Sequence, residues 1–259
     1  MNLRGVLLDL DGTLVDHEAA VTEALRAWLP TLGVAATDEV IAAWSTAQER
    51  HLVAWRERRI SFQEQRRRRL RDFLPTIGVP FADDEEQLDR VFGGYLHWYE
   101  RSWRAFEDAA ETLETLARMG LRTAVLTNGT VEQQHAKLAR VGLLERVGPV
   151  YTAEELGVAK PATGAFLAAC QRWGLPAGAV VHVGDRHDLD VVAARAAGLH
   201  AVHLDRHNEG SADERLRITS LRELSGLLRL FTDRGPCGPR SSEPLAELEV
   251  GAVLRPVLE

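Results

Sequence analysis

The sequence predicts an α/β fold: a parallel sheet covered by helices on both faces and interrupted by an all-helical insert. Three observations carry this. Short runs at Val6-Leu7-Leu8, Thr123-Ala124-Val125-Leu126, Ala179-Val180-Val181-His182-Val183 and His200-Ala201-Val202-His203-Leu204 are too uniformly apolar for half-exposed strands and read as strands buried on both faces. Helical patterns of roughly 10–15 residues alternate with them, as βαβ units require. Residues 17–106 break that rhythm with a succession of helices and no convincing strand. The 259 residues are enough for one large core with a smaller insert.

In chain order, the first strand leads directly into the insert, whose helices are punctuated near Pro30, Pro75 and Gly78-Val79-Pro80. The insert holds 12 of the 16 aromatics, including Trp28, Trp44, Trp55, Trp98 and Trp103, so it can bury a core of its own and reads as a separate lid. Most of these rings are expected in that core; stacking on a substrate ring is the alternative for Trp44, Trp98 and Tyr99. The run Arg66-Arg67-Arg68-Arg69 lies near Glu57 and Glu64. A helix cannot aim four consecutive side chains one way, so the run predicts a solvated face. His17, at the entry to the insert, is in a position to reach substrate. Helical patterns follow at 108–118, 131–141, 163–173 and 188–197, the last stopping at Gly198 as a C-cap. A weaker segment, 147–151, supplies a fifth strand. Beyond Phe231 lie four of the ten prolines, with Gly235, Gly238 and Ser241-Ser242, and 233–259 reads as a poorly ordered tail.

Composition narrows the function. Thirty-one basic against 38 acidic residues give a net charge of −7, which argues against a sequence-independent nucleic-acid binder. No apolar run approaches the roughly 18 residues of a membrane span, and Met1-Asn2-Leu3-Arg4 runs into a strand with no signal-peptide pattern. Two cysteines, Cys170 and Cys237, make neither a disulfide framework nor a zinc cluster, so the expected compartment is the reducing cytoplasm. Of the 31 basic residues only Lys137 and Lys160 are lysine. A lysine kept against that bias raises the question of what a compact ammonium does that a guanidinium cannot.

The chemistry gathers at strand ends. Asp9-Leu10-Asp11-Gly12-Thr13-Leu14 puts two carboxylates at i, i+2 on the same side, at the carboxyl edge where open α/β sheets bind ligands. One can stay ionised as a nucleophile while the other serves as a general acid, and together they attract a divalent cation; an ordinary Asp-Gly turn is the plain alternative. Thr127-Asn128-Gly129 ends the second strand before a helix, an anion-binding arrangement that alone is no more than an N-cap. Lys160 precedes Pro161, which favours an extended loop, and reads as a point charge aimed at a phosphoryl oxygen or carboxylate. Lys137, on an amphipathic helical pattern, is expected at the surface. Asp185 ends a fourth strand, where it can join Asp9 and Asp11 around a hard cation; Asp188 and Asp190 suit the start of the next helix. A nucleophile, a proton donor, oxygen-directed donors and a metal site are the parts of phosphoryl transfer.

Taken together and in order, Asp9–Leu14, Thr127-Asn128-Gly129, Lys160-Pro161 and Gly184-Asp185 with Asp190 five residues on resemble the four motifs of the haloacid dehalogenase (HAD) superfamily of hydrolases, over about residues 1–232. The resemblance implies a Rossmann-like core of 1–16 and 107–232 with a helical cap of 17–106. It implies that Asp9 forms an aspartyl-phosphate, that Asp11 protonates the leaving group and then activates water, and that Thr127, Asn128 and Lys160 bind the phosphoryl group. It implies Mg²⁺ held by Asp9, the carbonyl of Asp11, and Asp185, with Asp190 supporting that site. The expected activity is Mg²⁺-dependent hydrolysis of a small phosphorylated metabolite, such as a nucleotide or sugar phosphate. Dehalogenases of the superfamily lack the second acid, so Asp11 argues for phosphate. A phosphomutase or phosphotransferase shares the motifs and stays open, as does a catalytically silent binding module, which would be expected to have lost one of these acids.

Overall fold

The computed structural model describes residues 3–210 and 213–232, so the expected tail at 233–259 lies outside the described residues. Six parallel strands, β1 (Gly5–Leu8), β2 (Arg122–Thr127), β3 (Val150–Thr152), β4 (Val180–Gly184), β5 (His200–Leu204) and β6 (Arg217–Ile218), form one sheet in the order β3-β2-β1-β4-β5-β6. The predicted α/β architecture is present. The sequence reading omitted β6, a two-residue edge strand too short to show any periodicity.

Burial on both faces explains why the strands read as continuous apolar runs. Val6 and Leu8 of β1 join Val125, Val181, Val183 and Val202 on one face, beneath α5 (Ala109–Arg118), α6 (Val131–Arg140) and α10 (Leu224–Thr232). Leu7 points the other way, with Ala124, Leu126 and Ala201, against α8 (Thr163–Trp173) and α9 (Ala193–Ala196). A short α7 (Ala153–Leu156) follows β3. The helix expected at 188–197 is a π-helical turn, His187–Val192, running into α9, and the chain turns out at Gly198 with φ +83°.

Between β1 and β2 stand α1 (His17–Trp28), α2 (Asp38–Arg56), α3 (Phe62–Thr76) and α4 (Glu85–Arg101). Asp16, Thr37, Ser61 and Asp84 each accept a backbone N–H at the start of one of these helices, as N-cap side chains do. The four bury a cluster separate from the sheet's, including Trp28, Trp44, Phe73, Phe92, Tyr95, Tyr99 and Trp103. Trp44 is therefore a core ring, whereas Tyr99 both joins this core and lines the cavity described below. Entry and exit run side by side: Asp16 N–H donates to Arg104 O (3.0 Å) and Phe106 N–H to Leu14 O (3.0 Å). No helix among the described residues is long and apolar enough to cross a membrane.

Candidate active site

The strand order reverses at β1, whose neighbours are β2 and β4. Loops leaving the carboxyl ends of β1 and β4 diverge there and open a crevice, the usual ligand position in such sheets. Asp9 follows β1 directly and is fixed by its N–H bond to Val183 O, 2.9 Å. Gly12 takes φ +85°, and a Cβ at that position would overlap the Asp185 carboxylate, so only glycine lets the first loop approach the fourth this closely.

Lys160 reaches the crevice from the loop before α8. Asn128 holds its backbone from both sides: Lys160 N–H donates to Asn128 Oδ1 and Asn128 Nδ2 to Lys160 O, each 2.9 Å. The Asn128 amide, expected to face a phosphoryl group, is thus engaged in setting the lysine loop. The buried Lys160 ammonium donates to Asp9 Oδ1 at 2.5 Å and Asp190 Oδ1 at 2.6 Å. Asp190 is further tied to His182 Nε2 at 2.9 Å and the Arg186 N–H at 3.1 Å. Thr127 is buried, and its Oγ1 accepts from Gln134 Nε2 at 3.2 Å.

Ligand atoms of Asp9, Asp185 and Asp190 lie within 4.8 Å of one another. One ammonium faces three carboxylates, so negative charge is left over. Burial, only partly offset by Lys160, pushes Asp9 well above the ordinary carboxylate range. Burial and the Asp190 charge push Asp185 up to about 7. Asp190 moves the other way: burial alone would raise it, but Lys160 and His182 outweigh burial and hold it ionised. Asp185 Oδ1 is also buried without a hydrogen-bond partner. Surplus negative charge, hard oxygen donors and an orphaned carboxylate oxygen are what a divalent cation complements, so these residues fit such an ion. Asp190, expected behind the metal site, falls within the cluster, although both its oxygens are already engaged.

Asp11 turns away from this cluster. Its Oδ1 accepts from Lys137 Nζ at 2.6 Å and lies 3.9 Å from His17 Nδ1. Lys137 is therefore no surface lysine. It is 1% exposed, with its ammonium 5.5 Å from the Tyr99 ring centre and 5.6 Å from that of Trp103. The polar face of α6 meets the crevice instead of solvent, which is where the expectation failed. Burial alone would raise Asp11, but Lys137 and His17 outweigh it and hold the carboxyl below the usual range. His17 in turn lies 2.8 Å from Tyr99 Oη and 3.3 Å from Gln48 Nε2.

A cavity of about 220 Å³ joins these residues to the insert, reaching Gln48, Gln65, Arg66, Arg69 and Tyr95. The arginine run is not uniformly solvated. Arg67 and Arg68 bond outward to Asp89 and Glu64, whereas Arg69 is 5% exposed and, with Arg66, lines the cavity. The structure brings Asp9, Asp11, Thr127, Asn128, Lys160, Asp185 and Asp190 together on one cavity. The sequence reading missed Gln134, His182, Lys137 and Gln48 around them; the lysine scarcity applied to Lys160 pointed equally to Lys137.

The family described as hydrolase, haloacid dehalogenase-like hydrolase, matches residues 3–198. A ribulose-1,5-bisphosphate 5-phosphatase of Halopiger xanaduensis is 38% identical over 128 residues, 49% of this chain and 54% of that protein, so the chain spans about half of that relative's length. A phosphoglycolate phosphatase of Escherichia coli O157:H7 is 31% identical over 228 residues, 82% of this chain and 85% of that one. Among solved structures, the HAD-hydrolase YfnB of Bacillus subtilis, bound to magnesium, superimposes with a TM-score of 0.75 at 22% identity, over 88% of this chain and 99% of that one, which shows a shared fold.

Proposed function

We propose, from the premise that this chain belongs to the haloacid dehalogenase-like hydrolase family, that it is a Mg²⁺-dependent phosphatase hydrolysing a small phosphomonoester through an aspartyl-phosphate. The single observation carrying this reading is the Lys160 ammonium shared between Asp9 and Asp190, with Asp185 beside them, in one buried crevice. The phosphatase names of the relatives support it.

In this reading Asp9 Oδ attacks phosphorus, and the ester oxygen leaves with a proton from Asp11. Asp11 then takes a proton from water as the water oxygen attacks phosphorus and the Asp9–phosphorus bond breaks. Lys160 and the Thr127 hydroxyl contact the non-bridging oxygens. Asp9 and Asp185, with the carbonyl of Asp11, would hold Mg²⁺, which when bound neutralises charge on these acids and on the transferring group. Phosphate monoesters are so inert that enzymes accelerate their hydrolysis by up to about 10²¹-fold, roughly 28 kcal/mol at about 1.36 kcal/mol per decade. Several groups must therefore share the task. Asp11 rests ionised beside Lys137; a phosphate dianion entering next to it favours its acid form by like-charge repulsion.

Residues 17–106 act as a cap over a core of 1–16 and 107–232, moving about the paired segments at Asp16 and Phe106 and excluding water when closed. The interdomain movement described for YfnB supports that view. From the cysteine usage, we place the reaction in the cytoplasm.

The test is turnover of a generic phosphomonoester with Mg²⁺, with a chelator, and with Asp9→Asn. Turnover is expected only in the first, with at least about a 10³-fold loss in the variant. Undiminished turnover by Asp9→Asn would remove the nucleophile assignment.

A further inference from the structure

Five arginines lie on α3, yet they do not share one fate. Arg67 bonds to Asp89 and Glu85, Arg68 to Glu64, and Arg71 to Asp83 and Glu64. Arg69, one turn of helix from Arg66, has no acidic partner among the described residues. Its Nη1 donates to Gln48 Oε1 at 2.8 Å and its Nη2 to Gln65 Oε1 at 2.9 Å, both neutral amides, while its Nε is buried without any partner. Its guanidinium packs 5.1 Å from the Trp44 ring centre and 5.3 Å from that of Phe92. Arg66 makes no ion pair within 4.0 Å among the described residues, although the charges of Glu100, Asp89 and Glu132 act on it from further off, and it lies over Phe62 and Phe92 at 4.7 and 5.3 Å.

A buried cation without a counter-charge is costly, and buried charges are ordinarily paired. Burial brings the Arg69 guanidinium down to about 10, so it stays charged at neutral pH and the cost persists. Both arginines face the cavity that ends at Asp9 and Lys160. The path between the two ends is short: Arg69 touches Gln48, Gln48 touches His17, and His17 lies beside Asp11. The cavity, about 220 Å³, is smaller than the roughly 300–1,000 Å³ typical of drug-sized ligand sites.

We infer that Arg69, assisted by Arg66, is an anion subsite, and that the substrate is a compact phosphomonoester carrying a second anionic group a few atoms from the scissile ester. This rests on the phosphatase reading above and adds the substrate class to it. A carboxylate or a second phosphate satisfies the same guanidinium chemistry.

Three two-carbon esters separate the possibilities: ethyl phosphate with no second charge, 2-phosphoglycolate with a carboxylate, and ethane-1,2-diol bisphosphate with a second phosphate. With the full chain and Mg²⁺, kcat/KM is measured for wild type, Arg69→Met, Arg66→Gln and, as an outward-facing control, Arg68→Gln. Dissociation constants on Asp9→Asn, with and without Arg69→Met, are measured by calorimetry. Wild type is expected to prefer at least one charged ester over ethyl phosphate by about 100-fold. That preference should collapse to within about threefold in Arg69→Met, fall by about tenfold in Arg66→Gln, and persist in Arg68→Gln. Whichever charged ester is preferred identifies the second group. Should Arg69→Met not fold, Arg66→Gln carries the comparison. Equal preference for all three esters in wild type, or equal losses on charged and uncharged esters in the variants, overturns the subsite. Selective binding of a charged ester to Asp9→Asn without turnover of any ester by wild type would overturn the phosphatase reading and leave the subsite standing.

Discussion

Lys137 and Lys160 each hold one carboxylate of the first loop, and the two contacts have opposite company. Lys160 stands among three acids and leaves them short of positive charge. Lys137 faces the single carboxylate of Asp11, which His17 also approaches, under two aromatic rings. Removing the ammonium in Lys137→Met takes away the chief influence holding Asp11 low, so the Asp11 carboxyl rises. The limb of the pH–kcat/KM profile that belongs to Asp11 is then expected to move to higher pH, with kcat down by about 10²–10⁴-fold for a misplaced proton donor. An unmoved limb in a pH-rate series on the folded variant would contradict the assignment. Lys137→Arg should not rescue it, because the larger planar guanidinium does not fit where the lysine residue is only 1% exposed. Asp9, Asp11, Thr127 and Asp185 were legible because they follow or end strands, and a parallel sheet brings strand ends to one edge; Lys160, in the loop between α7 and α8, was legible from the scarcity of lysine and the proline after it. Lys137 and Gln134 sit within the body of α6. Nothing in the spacing of a helix says which neighbour its polar face meets.

At the scale of elements, α3 shows the limit of periodicity. Four consecutive arginines cannot face one way, but residues three apart do, so Arg66 and Arg69 share a side while Arg67 and Arg68 look out. Which side is inward is fixed by Leu70, Phe73 and Leu74 sinking into the insert's core, a tertiary fact. The expectations for β1, β2, β4 and β5 succeeded for the opposite reason: burial on both faces leaves a continuous apolar signature whatever the neighbours. The loop after β5 is tied down by charge. Arg206 donates twice to Asp108, at 3.0 Å each, and to the carbonyls of Gly12 and Thr13, while the Ser220 hydroxyl and Leu221 N–H also donate to Asp108. Burial alone would raise Asp108, but these bonds outweigh it and hold the carboxyl below the usual range. Its folded value lies under its unfolded one, so its contribution is complete above about pH 4 and fades as acid protonates it. Asp108→Asn should therefore cost about 3 kcal/mol at pH 7, and the gap in melting temperature from wild type should close below about pH 4. Melting curves across pH 3–7 check this; a constant gap would mean the loss is one of packing.

Across the whole molecule, two cores meet at one crevice, and Arg186 of the sheet side reaches Glu49 of the insert at 3.5 Å. The carboxylates proposed to act on phosphorus come from the sheet, and the Arg69 guanidinium, without an acidic partner among the described residues, comes from α3, so the proposed site needs both halves together. The scarcity of lysine has a practical corollary. Apart from the chain's own α-amine, every primary amine in the protein lies in this crevice. An acylating reagent therefore meets a surface with almost nothing to label, and the rate at which it marks Lys137 and Lys160 becomes a clock for how often the crevice gapes. Peptide mass spectrometry should show slow marking of both, slower still when vanadate and Mg²⁺ fill the crevice, and prompt marking only after the fold is lost.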